Sequence, residues 1–271
     1  MPVTYTANRT VRELDVKVYP VFYKQLVVEW SIPASWGAAT FNVFRSQTEY
    51  GPWALLNDTP ISGNHFKDLT TVEFSKFSNN FYLVDAFLPN GRVIRSFPET
   101  WINRRTSFAE IRAQEIQRRE LLLLTKFTGV KSLIFRKRTF GARCTNCWDS
   151  RIEKITKDHC EVCLGTSFEG GYFPGFESLV QYDPTPNQAA LSYSGKIEPN
   201  TIPAWTVSFP EINTFDLIVR LPDFKVYRVD GTQSTELQSV TVRQMLNLNE
   251  LDKESIEFKL INDLLPTDYR T

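Results

Sequence analysis

The sequence predicts a mainly β protein: an N-terminal β-sandwich, a linking helix, and a C-terminal β-barrel or sandwich carrying an inserted four-cysteine segment. Three observations lead there. Short apolar runs broken by turn residues dominate both halves of the 271-residue chain, a stretch between them carries helix-start signals, and all four cysteines fall in one short window. A chain of this length suits two or so domains, each with a core of its own.

Residues 1–103 form the first predicted domain. Its clearest strand runs are Leu26–Trp30, Phe41–Arg45, Trp53–Leu56 and Phe81–Phe87. Pro89-Asn90-Gly91 then turns the chain into Arg92–Arg95, because Asn-Gly accepts the positive φ angles of a tight hairpin. The order of these runs, with Trp30 closing an early strand, Phe44-Arg45-Ser46 ending the next and Tyr82 in a strand before the last hairpin, resembles a fibronectin type III module. That resemblance covers about a third of the chain and implies a spacer or docking surface rather than an activity.

Residues 104–130 read as a basic linking helix. Ser107 and Glu110 have capping-box spacing, which predicts a helix from about Phe108 to Thr125, and Phe108, Ile111, Ile116 and Leu123 can share a face. Between Arg104 and Arg143 eleven basic residues face only three acidic ones, a local excess inside a chain whose 31 basic and 31 acidic residues cancel. Either this stretch is a solvated helix face followed by a charged strand edge, or it contacts an anionic partner.

Residues 131–271 read as a second β domain. Trp205–Phe209, Phe215–Arg220, Phe224–Val229 and Ser255–Leu260 look like strands. Pro222-Asp223 makes a turn, Asp230-Gly231 ends the third strand, and Val242–Leu251 is ambiguous between helix and strand. Proline-rich connections lie at Tyr182–Asn187 and Glu198–Pro203.

Cys144-Thr-Asn-Cys147 and Cys160-Glu-Val-Cys163 each place two thiolates on a tight turn, and two such knuckles complete a tetrahedron. Zinc suits four soft thiolates, and a closed set of four points to a structural ion rather than a catalytic one. Trp148–His159 is long enough for a hairpin that joins the knuckles, the arrangement of a zinc ribbon at about residues 140–174. An iron–sulfur cluster or a reversible disulfide fits this paired spacing less well, and His159 reads as a neighbour of a saturated site. The glycines of Gly170-Gly171-Tyr172-Phe173 let the backbone turn closely against the ribbon, and Phe168, Tyr172 and Phe173 offer it an apolar surface, which predicts a ribbon embedded in the last domain.

Cys160-Glu-Val-Cys-Leu-Gly-Thr-Ser-Phe-Glu-Gly-Gly-Tyr-Phe-Pro-Gly, together with Arg143-Cys-Thr-Asn-Cys-Trp-Asp, resembles the zinc-ribbon segment of virion structural proteins of tailed bacteriophages. The likeness covers about Phe135–Pro174, with matches at Gly165, Phe168, Gly170, Gly171 and Tyr172. It implies a non-enzymatic neck or head-to-tail connector subunit, located in the virion, forming a ring with copies of itself beside portal, neck or tail proteins and near packaged DNA.

The other function classes find less support. The two histidines, His65 and His159, have no evident nucleophile to serve, and no Walker loop, Rossmann fingerprint or His-Glu-x-x-His occurs. Leu121–Leu124 is too short to span a bilayer and no leader pattern opens the chain, so the expectation is a soluble, unexported protein without a membrane partner. Arg136, Lys137, Arg138, Arg143, Trp148 and Arg151 are the candidates for a subunit interface or for nucleic acid, the alternatives being a zinc-ribbon regulator or a tail or baseplate component.

Overall fold

A computed structural model describes residues 13–22, 25–70, 80–101, 108–157, 160–183, 201–237 and 240–265. Ser107, His159 and most of the two proline-rich connections lie outside the described residues. The protein is mainly β and divides into two compact units, Met1–Arg105 with Arg138–Phe173, and Thr106–Lys137 with Pro174–Thr271.

In the first unit the strands are β1 (Asp15–Phe22), β2 (Gln25–Ser31), β3 (Thr40–Ser46), β4 (Ala54–Leu55), β5 (His65–Asp68), β6 (Phe81–Phe87) and β7 (Val93–Arg95). They make two antiparallel sheets, β1-β2-β5 and β4-β3-β6-β7. Alternation along the strands sends Val28 and Trp30 from one sheet, and Phe41, Val43, Tyr82 and Val84 from the other, into one buried core. The Trp30 indole N–H reaches the Gly63 carbonyl at 3.1 Å, so the largest core side chain leaves no polar atom unpaired. The predicted Asn-Gly hairpin joins β6 to β7, with Gly91 at φ +81 and the Leu88 amide bonded to the Arg92 carbonyl.

Phe140 and Phe173 lie in this same core. Their rings are 4.9 Å apart, and Phe140 stands edge-on to Phe41 at 6.0 Å. The ribbon segment therefore groups with the sandwich, whereas the sequence reading places it within a 131–271 domain. The physical reason is that the aromatic residues flanking the ribbon complete the sandwich core.

The second unit begins with α1 (Phe108–Leu123), whose last turn widens into a π-helical turn over Leu124–Thr128. Gly129 closes that turn by donating to the Leu124 carbonyl, and a Cβ there would lie 2.5 Å from the same oxygen, so no larger residue fits. The helix thus belongs to this unit rather than forming a separate 104–130 linker. Its buried face carries Ala113, Leu121 and Leu124, while Ile116 and Leu123, which the sequence placed on one shared face, are exposed. Gln117 on that buried side donates to Ser208 and to the Thr241 carbonyl, which ties the helix to the strands below it.

Those strands are β8 (Val130–Phe135), β11 (Phe176–Tyr182), β12 (Ile202–Val207), β13 (Leu217–Arg220), β14 (Lys225–Leu237) and β15 (Val240–Glu250), with the short ribbon strands β9 (Trp148–Asp149) and β10 (Lys154–Ile155) between β8 and β11 in the chain. They close in the order β11-β12-β15-β14-β13-β8, so the second β domain is a six-stranded barrel. Ile134, Val180, Ala204, Ile218, Tyr227, Val229, Leu246 and Leu248 fill it. Buried Gln244 donates to the Val207 and Pro210 carbonyls and accepts from the Ile212 amide, so its full amide is satisfied.

Three strand expectations change. The ambiguous Val242–Leu251 stretch is strand as far as Glu250, paired to β12 and β14. The third strand continues past Asp230-Gly231, because a register shift at Val229/Gly231 absorbs the irregularity and lets β14 run on to Leu237. Ser255–Leu260 is not a strand but the start of α2 (Ile256–Leu264), where the Ser255 hydroxyl caps the Phe258 amide and Ile261 and Leu265 are buried. The outer half of β14, Asp230–Leu237, is largely exposed, and among the described residues only β15 pairs with it.

Candidate metal centre

The structure brings Cys144, Cys147, Cys160 and Cys163 together, all buried and none in a disulfide. Their sulfurs all lie within 4.8 Å of one another, with Cys144 and Cys160 at 3.8 Å and Cys147 and Cys163 at 3.2 Å. A metal–thiolate bond of about 2.3 Å places the corners of a tetrahedron about 3.8 Å apart, so the four sulfurs fit a single tetrahedral ion and leave no coordination position open. Among the described residues this is the one group of three or more side chains suited to hold a metal.

Local backbone bonds build each knuckle. The Trp148 amide closes the first turn on the Cys144 carbonyl at 3.0 Å, and the Leu164 amide closes the second on the Cys160 carbonyl at 2.8 Å. The antiparallel pair β9–β10 joins the knuckles, with Glu153 at φ 50 in its turn, as the predicted hairpin requires. Thr156 and Thr166 each donate both amide and hydroxyl to the carbonyl of a cysteine, Cys147 and Cys163 respectively. Neither threonine stood out in the sequence, although Thr166 lies three residues beyond Cys163, a position from which a hydroxyl reaches the knuckle's last carbonyl. Gly171, at φ +65, passes so close that a Cβ would sit 3.1 Å from the Cys163 carbonyl, which accounts for the second glycine of the pair.

Burial pushes the Cys144 and Cys147 thiols up. Cys160 goes the other way, to about 7: burial opposes its ionisation, but hydrogen bonds from the Cys163 and Val162 amides to its sulfur outweigh it. The Asn146 amide also points at that sulfur from 3.8 Å.

The candidate contact residues separate. Arg143 packs its guanidinium over Trp148 at 3.9 Å and over Phe168 at 4.4 Å, and donates to the Ser167 hydroxyl at 2.9 Å. Arg138 lies over Phe173 at 5.2 Å and donates to the Tyr172 carbonyl at 2.8 Å. Lys137 sits 5.7 Å over the Phe215 ring, and its backbone amide bonds to buried Asp216 at 2.8 Å. The charges of Arg136 and Lys137 act on that same carboxylate. Arg151, in the β9–β10 turn, is exposed.

Comparison with known proteins adds little to this geometry. No family model and no curated protein matches the chain. Among solved structures, a pectate lyase from Pectobacterium carotovorum is similar over 36% of this chain and 29% of its own length, at 19% identity and a TM-score of 0.29. At that score the likeness carries no argument. No helix among the described residues is long and apolar enough to cross a membrane.

Proposed function

We propose that the tetrad binds one zinc ion as a structural staple, and that the chain is a non-enzymatic subunit of a tailed-phage virion, a neck or head-to-tail connector that assembles into a homo-oligomeric ring. The observation that carries this reading is the closed, buried four-thiolate set, whose aromatic backing belongs to the sandwich core. Such a site has no open position for substrate or water, so the ion acts on the fold. The resemblance of the Cys144–Tyr172 string to virion ribbons supplies the phage context, and the sandwich and barrel supply surfaces for neighbouring portal, neck or tail proteins. The outer part of β14, which among the described residues pairs only with β15, suits lateral contact with another copy, since Thr232–Thr235 carries neither the charge nor the proline that usually blunts an edge.

Of the alternatives, the nucleic-acid regulator draws on the basic stretch, and the internal packing of Arg138, Arg143 and Trp148 weakens it. A tail or baseplate location uses the same architecture. Native mass measurement of the zinc-loaded protein, with detection of the chain in purified particles, tests the proposal. A ring-sized assembly present in the particle is expected. A strict monomer absent from particles overturns it, and tight, steeply salt-dependent DNA binding favours the regulator.

A further inference from the structure

We infer that Arg143 is a positioning residue for the metal site, a clasp that ties the two cysteine knuckles to each other alongside the ion. The inference rests on the zinc reading above.

Arg143 and Trp148 flank the first knuckle, one residue outside Cys144 and Cys147 respectively. Stacking the guanidinium on the indole at 3.9 Å therefore closes the two ends of that turn on each other. The opposite partner, Phe168 at 4.4 Å, lies five residues beyond Cys163, and so does not belong to the first knuckle at all. The same guanidinium donates to Ser167 at 2.9 Å, the Arg143 backbone forms an isolated antiparallel bridge with Phe168, and the Cys144 amide donates to the Ser167 carbonyl at 3.0 Å. One cation between two aromatic rings thus ties the chain entering the first knuckle to the chain leaving the second. Phe168 is buried, which shields the pairing from water and strengthens the attraction.

The chemistry suits arginine alone. A flat, delocalised guanidinium can stack on rings while still donating in its plane, whereas a lysine ammonium is a point charge and cannot cover both rings. Residues that orient ligands in this way commonly change metal affinity by about 10–100-fold when replaced.

The test uses the full-length, zinc-loaded protein and measures zinc transfer to a chromogenic chelator, with Co2+ absorption reporting ligand geometry. Arg143→Gln is expected to weaken zinc retention about 10–100-fold while keeping the four-thiolate Co2+ spectrum, and Arg143→Lys is expected to restore only a small part of the loss. Phe168→Leu, which removes one ring and leaves the charge, is expected to give a smaller loss in the same direction. Wild-type retention in both Arg143 variants overturns the clasp. So does a folding defect in Arg143→Gln that Phe168→Leu does not share in weaker form. Normal zinc retention with lost DNA binding also overturns it and reassigns Arg143 to a nucleic-acid contact. A wild-type protein that takes up no zinc fails the zinc reading instead, which keeps the two failures distinct.

Discussion

The two compact units hold themselves together by different means. In the barrel, six strands form a closed ladder of backbone hydrogen bonds around an apolar interior, so burial and regular pairing both run through the whole unit. In the sandwich unit the two sheets are comparable, but the ribbon segment has only the two-residue strands β9 and β10. Its order depends on the knuckle turns, the Arg143 stack and the four sulfurs. A short segment with little core of its own gains most from a metal, whereas a closed barrel has no need of one.

On the proposed zinc reading, the sharpest way to break this contrast is to remove the ion. Cys163→Ser, or a strong chelator, is expected to unfold the ribbon segment and expose the remaining thiols, because binding at structural zinc sites in isolated fingers amounts to about 10–16 kcal/mol of folding energy. Thiol labelling with hydrogen exchange resolved by segment measures it. Protection in β12, β14 and β15 is expected to persist, and its loss would show that the barrel also depends on the metal.

Next in size is the aromatic link inside the first unit. Phe140→Ala removes the ring between Phe41 and Phe173, and is expected to cost about 3–5 kcal/mol and to speed zinc loss. Ile218→Ala in the barrel interior is expected to cost about 2–5 kcal/mol with zinc retention unchanged. Denaturant unfolding with zinc release followed in parallel distinguishes the two.

A buried titratable group in each unit responds to pH with opposite sign. Burial and then the Lys67 charge depress His65 from 6.5 to about 4, so as pH falls from about 7 to 4 the unfolded chain takes up the proton first and the sandwich loses stability. Burial raises Asp216 in the barrel from 3.8 to about 6, so in the same window the folded state takes up the proton first and the barrel gains stability. Each effect is about 3 kcal/mol in size. His65→Gln and Asp216→Asn are expected to flatten the respective slopes, measured by segment-resolved exchange against pH.

The smallest expected effect is at α2. Ser255→Ala removes the hydroxyl that caps the Phe258 amide and is expected to cost about 1 kcal/mol, read as a modest drop in barrel unfolding midpoint.

Much of this was legible in local sequence, for identifiable reasons. Paired Cys-x-x-Cys spacing specifies a knuckle whatever surrounds it, and Asn90-Gly91 specifies a hairpin. The α2 segment misled because Ile256, Phe258 and Leu260 alternate like a strand. The cap at Ser255 and the four-residue step from Ile261 to Leu265 carried the helical message. Of the barrel staves, β8 was marked only as a charged strand edge, because it lies within the stretch read for its basic charge, and β11, directly after the ribbon, was not marked.

What the sequence by itself determined is the pair of knuckles, the turn that joins them and the β character of both units, since each follows from contacts within a few residues. Only the tertiary structure decided that the ribbon completes the sandwich core through Phe140 and Phe173, that six strands close into a barrel, and that Arg143 grips two rings instead of facing outward. Aromatic and basic side chains look the same in sequence whether they meet a partner or their own fold. The difference lies in which distant residue arrives to cover them, and that depends on the packing of the whole unit.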